Sequence, residues 1–205
     1  MASSDPAIRL ATESEIPVLA AVLARAFEKD PFVTWIVRGG SKHPDRMHRF
    51  FQLYLELAFR NGEVYTTEDH LGAALWIRPD AWEFRRLIRF RRLPAMLRVV
   101  GPLRLIPRLL AVRHAGRHHP GESHYYLLGL GTDPDHQGEG IGSALLAPVL
   151  ARCDAGAMPA YVEASSPEVV PFYQREGFRI LRTLKLPYGG PWIWLMWREQ
   201  TIRDA

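Results

Sequence analysis

Hydrophobic and polar positions in the first sixty residues follow strand spacing once and helix spacing twice. The apolar segment at 7–11 predicts a short strand, and Thr12 with Glu15 forms a capping-box pattern that opens a helix. Apolar residues three and four positions apart then predict a helix over 16–27 and a second, amphipathic helix over 45–60. The chain is therefore expected to begin with one strand followed by two helices.

The next segments predict two strands and then a helical region that prolines interrupt. Residues 62–79 predict two strands joined by a turn at Glu68–His70. From 84 to 120 the apolar residues return to helical spacing. Since an interior proline breaks or kinks a helix, short helices are expected here, divided by four prolines: Pro94, Pro102, Pro107 and Pro120.

Strand and helix patterns alternate through the C-terminal half. Ser166 with Pro167 predicts an N-cap and a first-turn proline, and Gly177 ends the helix that they open. Pro148 and Pro171 fall within predicted helices, and a kink is expected near Pro148. The predicted elements are a strand at 123–133, a helix at about 141–152, a strand at 160–165, the helix just described, and two final strands around Gly189–Gly190. This order predicts an α/β fold with a mixed sheet and helices on both faces.

Composition agrees with one soluble domain. The chain has 205 residues, of which 47% are hydrophobic, enough for a normal core. Its single cysteine, Cys153, excludes an internal disulfide framework and fits a reducing compartment. The N-terminus lacks a basic-then-apolar signal, and no apolar run reaches the roughly 20 residues of a membrane-spanning helix. We expect a single domain over 1–205, cytoplasmic, as a monomer or homodimer.

The net charge of +4 is unevenly distributed. Residues 84–121 hold ten arginines, no lysine and no acidic residue, so the rest of the chain is net acidic. This predicts an arginine-rich helical insertion at about 81–120 and disfavours nucleic acid as a partner. Its arginines either form a solvated helix face or bind an anion: a CoA 3′-phosphate, an anionic acceptor or an anionic lipid surface. A membrane partner is disfavoured for the chain as a whole.

A glycine-rich turn connects the strand at 123–133 to the following helix. Glycines at 138, 140 and 142 leave the backbone open at a helix N-terminus, a geometry that binds phosphate, although a merely tight turn would use the same residues. The segment lacks the Lys-Ser or Lys-Thr of a P-loop. Its glycine spacing also fits the Gly-x-Gly-x-x-Gly dinucleotide pattern poorly.

The pattern Gln137-x-x-Gly140-x-Gly142 resembles the acyl-CoA pyrophosphate loop of the GNAT superfamily of N-acetyltransferases. The preceding "YLLGLGTDPDH", the later "SSPEVVPFYQREGF" and the order of elements are also similar to that superfamily, most closely over 123–178. Within it, these stretches look most like puromycin N-acetyltransferase and its relatives. The resemblance implies a mostly antiparallel sheet of six to seven strands, with the helical insertion added.

By this resemblance the chain binds acetyl-CoA as a cosubstrate. The glycine turn would hold the pyrophosphate, and the end of the preceding strand would pair with the pantetheine arm or polarise the thioester carbonyl. The implied acetyl-CoA contacts are Leu130, Gly131, Thr132, Gln137, Gly138, Glu139, Gly140, Ile141, Gly142, Ser143, Ser166, Phe172 and Tyr173.

The resemblance also implies two catalytic groups. Tyr173 would be the general acid that protonates the departing CoA thiolate, although a tyrosine on an amphipathic helix also fits core packing. Glu163 would be the general base, although it also fits a surface carboxylate on a strand. His124, Tyr125 or Tyr126, acting through water, are alternatives as the base.

The acceptor is sought in a loop or short helix at 29–37, where Pro31 disfavours helical backbone at Asp30. Phe32, Trp35 and Trp76 would form aromatic walls, and Asp30 would hold the charge of an amine. The implied reaction is N-acetylation of a primary amine of a small molecule, including antibiotic-like compounds, by direct attack in a ternary complex. The alternatives are a protein or peptide N-acetyltransferase and a non-catalytic acyl-CoA-binding regulatory module. No metal is expected, because the eight histidines are scattered.

Overall fold

The computed structural model describes residues 6–37, 39, 43–79, 81 and 93–199. Within these residues the strands are β1 (Ile8–Leu10), β2 (Gly62–Thr67), β3 (Gly72–Ile77), β4 (Tyr125–Thr132), β5 (Ala160–Ala164), β6 (Arg179–Lys185) and β7 (Trp192–Arg198). The α-helices are α1 (Ile16–Ala26), α2 (Pro31–Ile36), α3 (His43–Asn61), α4 (Leu93–Val100), α5 (Pro102–Gly116), α6 (Ile141–Ala155) and α7 (Val170–Arg175). Short 3-10 turns precede α1, α6 and α7.

The strands form one mixed sheet in the order β1-β2-β3-β4-β5-β7-β6. Neighbouring strands are antiparallel except β4 and β5, which run parallel because α6 returns the chain between them. The predicted α/β class, the mostly antiparallel sheet and the number of strands are confirmed.

Alternate residues of the strands supply two apolar cores, one on each face of the sheet. On β3, Leu75 joins the core beneath α1, α3, α4 and α5, whereas Trp76 joins the core beneath α6 and α7. Side chains of successive strand residues point to opposite faces, so a sheet covered on both sides requires apolar residues at nearly every position. All six residues of β3 are buried accordingly.

The predicted capping box is confirmed at the start of the first helix. The backbone N–H of Thr12 donates to Glu15 Oε2 at 2.7 Å, and the reciprocal bond to the Thr12 side chain is also present. Arg9 and His70 contact the same carboxylate at 2.7 and 2.5 Å. Glu15 therefore joins the start of the helix to β1 and to the β2–β3 turn.

Two of the proline predictions are wrong. Pro107 does not divide the insertion, because α5 continues through it. Proline has no N–H to donate to the carbonyl of Leu103, four residues earlier. Leu103 is 93% exposed, so water can replace the missing hydrogen bond. Pro171 lies in the first turn of α7, where a helix has no N–H bond to lose. Pro148 does lie inside α6, which continues to Ala155, and the kink there stays a prediction.

The structure describes the insertion from residue 93 onward, as α4 and α5. Val99, Val100 and Leu105 are buried in the core shared with α1 and α3, so these helices pack as part of the same body. Residues 82–92, with five of the ten arginines, lie outside the described residues. The single-domain prediction with its insertion is compatible with this packing and stays a prediction. Within the described parts of the chain, we find no helix both long and apolar enough to cross a bilayer.

Candidate active site

A gap opens in the sheet between the two parallel strands. Pairing of β4 with β5 covers Tyr125–Leu127 and Ala160–Val162, whereas β4 continues to Thr132. The register between β3 and β4 also shifts, since Leu75 faces Gly129 and Trp76 faces Leu127, which leaves Leu128 as the extra residue of a β-bulge. The second half of β4 therefore lines a cleft where β4 and β5 have separated.

The glycine-rich turn lies at the mouth of this cleft. Gly138 and Gly140 have φ of 86° and 83°, the left-handed region that glycine adopts without a steric penalty. A Cβ at either position would meet nothing within 4 Å, so the space beside the turn is open. Gly140 is the N-cap of the 15-residue α6, whose first backbone N–H groups and dipole favour an anion. These features fit a phosphate group held by backbone amides.

Side chains around the turn differ in what they offer. Gln137 Nε2 donates to the Thr132 carbonyl at 3.3 Å, a contact between the loop and the end of β4. Ser143 lines the cleft, but its hydroxyl donates to Glu176 Oε1 at 2.5 Å. Glu139 contacts His136 at 3.2 Å and does not line the cleft.

Tyr173 lies on α7, and 7% of its surface is exposed. Its ring packs against Phe172 and Phe178, and it lines the cleft. Burial, with a smaller contribution from the nearby Asp30 charge, raises the pKa of the phenol above its usual range. Tyr173 is therefore held as a neutral phenol that can donate a proton and cannot serve as a base.

Glu163 lies on β5 directly after the last residue that pairs with β4. The Tyr161 O–H donates to Glu163 Oε1 at 3.0 Å, and His119 Nδ1 is 3.9 Å from the same oxygen. The Glu163 side chain is 23% exposed and lines the cleft. A carboxylate in this position can accept a proton from a molecule bound beside it.

Asp30 is fixed from two sides. Its Oδ1 accepts a hydrogen bond from the Val33 N–H at 2.8 Å, which caps α2, and Ser165 donates to its Oδ2. Burial raises the pKa of this carboxyl, and the bonds from Ser165 and the α2 backbone partly offset that effect. Asp30 lines the cleft near Tyr173 and, when ionised, is a second negative charge close to Glu163.

The cleft continues behind these residues into an apolar chamber, and the whole cavity measures about 960 Å³. The walls of this chamber could not be predicted from the sequence, because their aromatic and aliphatic residues have the same spacing as core residues. They come from α3, α4, α5 and the sheet: Phe50, Tyr54, Leu57, Met96, Val99, Leu105, Leu109, Tyr126 and Ile193. A surplus of large apolar residues on one face of α3 was the signal available in the sequence.

Two of the four predicted acceptor residues do not line the cavity. Trp76 is 1% exposed and belongs to the core on the α6 side of the sheet, because its place on β3 turns it away from the chamber. Trp35 lies beside the chamber under the Arg108 guanidinium, which stacks 3.7 Å above its ring and donates to its carbonyl at 3.1 Å. Asp30 and Phe32 do line the cavity, and their binding of an acceptor stays a prediction.

The arginine segment shows two kinds of environment. Among the described arginines of this segment, Arg108 lines the cavity. Its contacts with Trp35 and with the Tyr188 carbonyl stabilise the cavity wall. The other described arginines of the segment are exposed: Arg98, Arg104, Arg113 and Arg117.

The structure brings most of the predicted site into one cavity. Ser166 lies at an N-cap position as expected, but its hydroxyl bonds to Glu168 and not to the helix backbone. In the described segments, histidine, cysteine and acidic side chains form no group of three that could hold a metal ion. Besides Asp30 and Phe32, the predicted residues that line the cavity are Leu130, Gly131, Thr132, Gln137, Gly138, Gly140, Ile141, Gly142, Ser143, Glu163, Ser166, Phe172 and Tyr173.

Comparison with known proteins agrees with this arrangement. Residues 108–180 match the family described as acetyltransferase (GNAT) domain. A stretch of 57 residues is 44% identical to mycothiol acetyltransferase from Propionibacterium freudenreichii, covering 26% of this chain and 18% of that protein. Over 169 residues the chain is 25% identical to an uncharacterized N-acetyltransferase of Schizosaccharomyces pombe, covering 78% of this chain and 68% of that protein.

A solved structure extends the similarity over the chain. A Corynebacterium glutamicum protein described as histone acetyltransferase HPA2 and related acetyltransferase superposes on 98% of this chain and 100% of its own, with a TM-score of 0.76 and 26% identity. None of these three relatives is named as a puromycin N-acetyltransferase, so that narrower resemblance stays a prediction. The matched segment, the named relatives and the fold are all similar to N-acetyltransferases of the GNAT type.

Proposed function

We propose that this protein transfers the acetyl group of acetyl-CoA to the primary amine of a small molecule with an apolar body. The observation that carries the proposal is the continuous cavity of about 960 Å³, with the glycine turn at one end and the apolar chamber at the other. Tyr173, Glu163 and Asp30 line the same cavity. Donor and acceptor can therefore be bound together, which supports direct attack in a ternary complex.

The donor end supports acetyl-CoA. A pyrophosphate would lie on the backbone amides at the N-terminus of α6, where Gly138 and Gly140 carry no side chain to block it. The pantetheine arm would follow the second half of β4, which does not pair with β5. Residues Leu130, Gly131 and Thr132 lie along this path.

The acceptor end supports an amine with an apolar body. Asp30 and Glu163 provide negative charge for an ammonium group, and the chamber behind them is lined by aromatic and aliphatic side chains. An apolar body of the substrate gains affinity from burial there, at about 25 cal/mol per Å² of apolar surface removed from water. Helices α4 and α5 close one side of the chamber, which favours a small molecule over an extended peptide.

The chemistry needs three proton transfers. Glu163 would take a proton from the bound ammonium, and the free amine would attack the thioester carbonyl to give a tetrahedral intermediate whose nitrogen still carries an extra proton. When the C–S bond breaks, the Tyr173 hydroxyl would protonate the thiolate, and the extra proton on nitrogen would restore the Tyr173 phenol, so the products are the acetamide and CoA. Cys153 is fully buried, and burial raises the pKa of its thiol to about 11, which argues against an acyl-cysteine intermediate.

The test is release of free CoA thiol from acetyl-CoA over a panel of amines. The panel contains 2-phenylethylamine, tryptamine, a puromycin-like aminonucleoside, spermidine and a lysine-containing histone-tail peptide. We expect higher kcat/KM for the monoamines with an aromatic body than for spermidine or the peptide. Turnover of the peptide alone would favour a protein N-acetyltransferase, as the name of the C. glutamicum relative suggests for that protein. Tight acetyl-CoA binding without turnover of any amine would favour a regulatory binding module.

A further inference from the structure

Behind Glu163 lies a buried cluster of histidine and tyrosine rings. His119 follows α5 and its side chain is 5% exposed, while His124 precedes β4 and is fully buried. Their Nε2 atoms are 3.0 Å apart. The His119 ring is also packed edge-on against Tyr126 and Tyr161, with centroids 5.0 and 4.6 Å away. A line of polar contacts therefore runs from Glu163 through His119 to His124.

The hydrogen bonds along this line fix the tautomer of each ring. His124 Nδ1 lies 2.6 Å from the carbonyl of Glu122, which can only accept, so Nδ1 carries the proton. Burial lowers the pKa of His124 to about 4, so at neutral pH its Nε2 is an acceptor. The partner nitrogen, Nε2 of His119, must then donate, and the basic nitrogen of neutral His119 is Nδ1, which faces Glu163 at 3.9 Å.

The tyrosines around Glu163 cannot take up a proton at neutral pH, and the nearby carboxyl of Asp30 already accepts hydrogen bonds from Val33 and Ser165. Burial first, and the Glu163 charge second, raise the pKa values of Tyr54 on α3, Tyr126 on β4 and Tyr161 on β5 above the usual phenol range. These three groups stay neutral phenols. The indole of Trp197 on β7 also packs against His124, and it carries no basic site.

We propose that His119 is the second proton acceptor for amine deprotonation, acting through Glu163, and that His124 holds His119 in the tautomer this requires. The inference deepens the proposed function and rests on it. The ammonium proton passes to Glu163, and then from Glu163 to Nδ1 of His119, which restores the carboxylate and forms an imidazolium. Neither histidine touches the substrate, so both are positioning residues.

The 3.9 Å separation suits this role. Hydrogen bonds between catalytic groups are often long in a free enzyme and shorten when the substrate is bound. The imidazolium formed on His119 would then lie between the Glu163 carboxylate and the acceptor nitrogen of His124, and both neighbours stabilise its charge. When the product leaves, the proton returns to solvent by way of Glu163 and the open cavity.

The first experiment measures kcat against pH with saturating acetyl-CoA and 2-phenylethylamine. In the wild type we expect kcat to rise with pH to a plateau, with an inflection that depends on this relay. His119→Gln is expected to lower kcat on the order of tenfold and remove that inflection, with the KM for acetyl-CoA unchanged. His124→Leu should resemble it, whereas His124→Gln, which keeps an acceptor for His119, should recover most of the rate. His118→Gln is the control, since His118 contacts Arg182 at 3.3 Å and not Glu163. An unchanged profile in His119→Gln overturns the proposal.

The second experiment needs no substrate. Long-range ¹⁵N–¹H NMR spectra of the wild type report which nitrogen of each histidine carries the proton. At pH 7.5 we expect the Nδ1–H tautomer for His124 and the Nε2–H tautomer for His119. An Nδ1–H tautomer at His119 overturns the relay, because that nitrogen could then not accept a proton. If the tautomers are as expected but no amine is acetylated, the proposed function fails and the hydrogen-bond geometry stands.

Discussion

At the scale of single residues, position relative to the cavity decides which ionisable groups can do chemistry. Tyr173 and Tyr161 are both buried and both stay neutral phenols, but only Tyr173 lines the cavity beside the end of β4. Tyr161 instead donates its hydroxyl to Glu163 from behind. The sequence distinguishes them only through the resemblance of "PFYQREGF", because two tyrosines in apolar segments look alike by pattern.

The Tyr173 role predicts a specific loss of turnover. Tyr173→Phe removes one oxygen and leaves the packing against Phe172 and Phe178 in place. If its hydroxyl protonates the CoA thiolate, kcat should fall by about 10²-fold or more, while the Kd for acetyl-CoA, measured by calorimetry, stays within about twofold. Tyr125→Phe is the matched control, since that ring packs near Arg152 and does not line the cavity. Normal turnover in Tyr173→Phe would reject the role.

The lowered pKa of His124 in the folded protein predicts how the free energy of unfolding depends on pH. Its folded-state pKa, lowered to about 4 by burial, lies below the ordinary value of about 6.5, so the unfolded chain binds more protons between those values. The resulting loss of stability grows as pH falls from about 6.5 to about 4, and reaches roughly 3 kcal/mol at most. Urea denaturation at pH 7 and pH 4.5 should therefore show a smaller drop for His124→Gln than for the wild type. His114→Gln, a change outside the cluster, should keep the wild-type dependence; equal drops in all three proteins would contradict the assignment.

At the scale of elements, the glycine turn before α6 and the β6–β7 turn each contain a glycine with positive φ, but only the first turn lines the cavity. Gly140 and Gly189 both have positive φ, 83° and 71°, and a Cβ at either would meet nothing within 4 Å. An L-residue at such a φ costs about 1–2 kcal/mol. Alanine variants at the two glycines therefore separate the free energy of backbone strain from the loss of ligand affinity.

We expect Gly140→Ala and Gly189→Ala to lower the free energy of unfolding by similar amounts, about 1–2 kcal/mol each. Only Gly140→Ala should weaken acetyl-CoA binding, by about tenfold or more, because its methyl group would enter the space beside the α6 amides. Chemical denaturation and calorimetry measure the two effects. Equal acetyl-CoA affinity in both variants would show that the open space at Gly140 is not a ligand site.

At the scale of the whole molecule, the cavity is assembled from segments far apart in the sequence. Its donor end combines the end of β4, the glycine turn and α7, and its acceptor end combines α2, α3, α4 and α5. The two ends meet at Glu163 on β5 and at Asp30, which Ser165 ties to the end of β5. A ligand bound at either end should therefore contact several separate segments of the chain at the same time.

Hydrogen exchange followed by mass spectrometry tests this division. Acetyl-CoA is expected to slow exchange at 129–132, 138–143 and 170–173 together, because one ligand would cover all three segments. Addition of an accepted amine should extend protection to α3, α4 and α5. The β6–β7 turn at Gly189 serves as an internal control and should be unchanged by acetyl-CoA. Protection by acetyl-CoA that includes 138–143 but leaves 129–132 unchanged would place the donor outside the β4–β5 gap.

The sequence by itself determined the order of elements, the start of the first helix at Thr12 and Glu15, and the glycine turn that opens α6. These features depend on residues close together in the chain: local spacing, caps and turns. The sequence could not distinguish the apolar residues of α3 that line a chamber from those that fill a core. It also did not show that Trp76 lies on the face of the sheet opposite the chamber. It also could not bring His119, His124 and Tyr161 to one carboxylate. Only the tertiary structure decided these, because the separation of β4 from β5 and the packing of the insertion on α3 depend on contacts between distant segments.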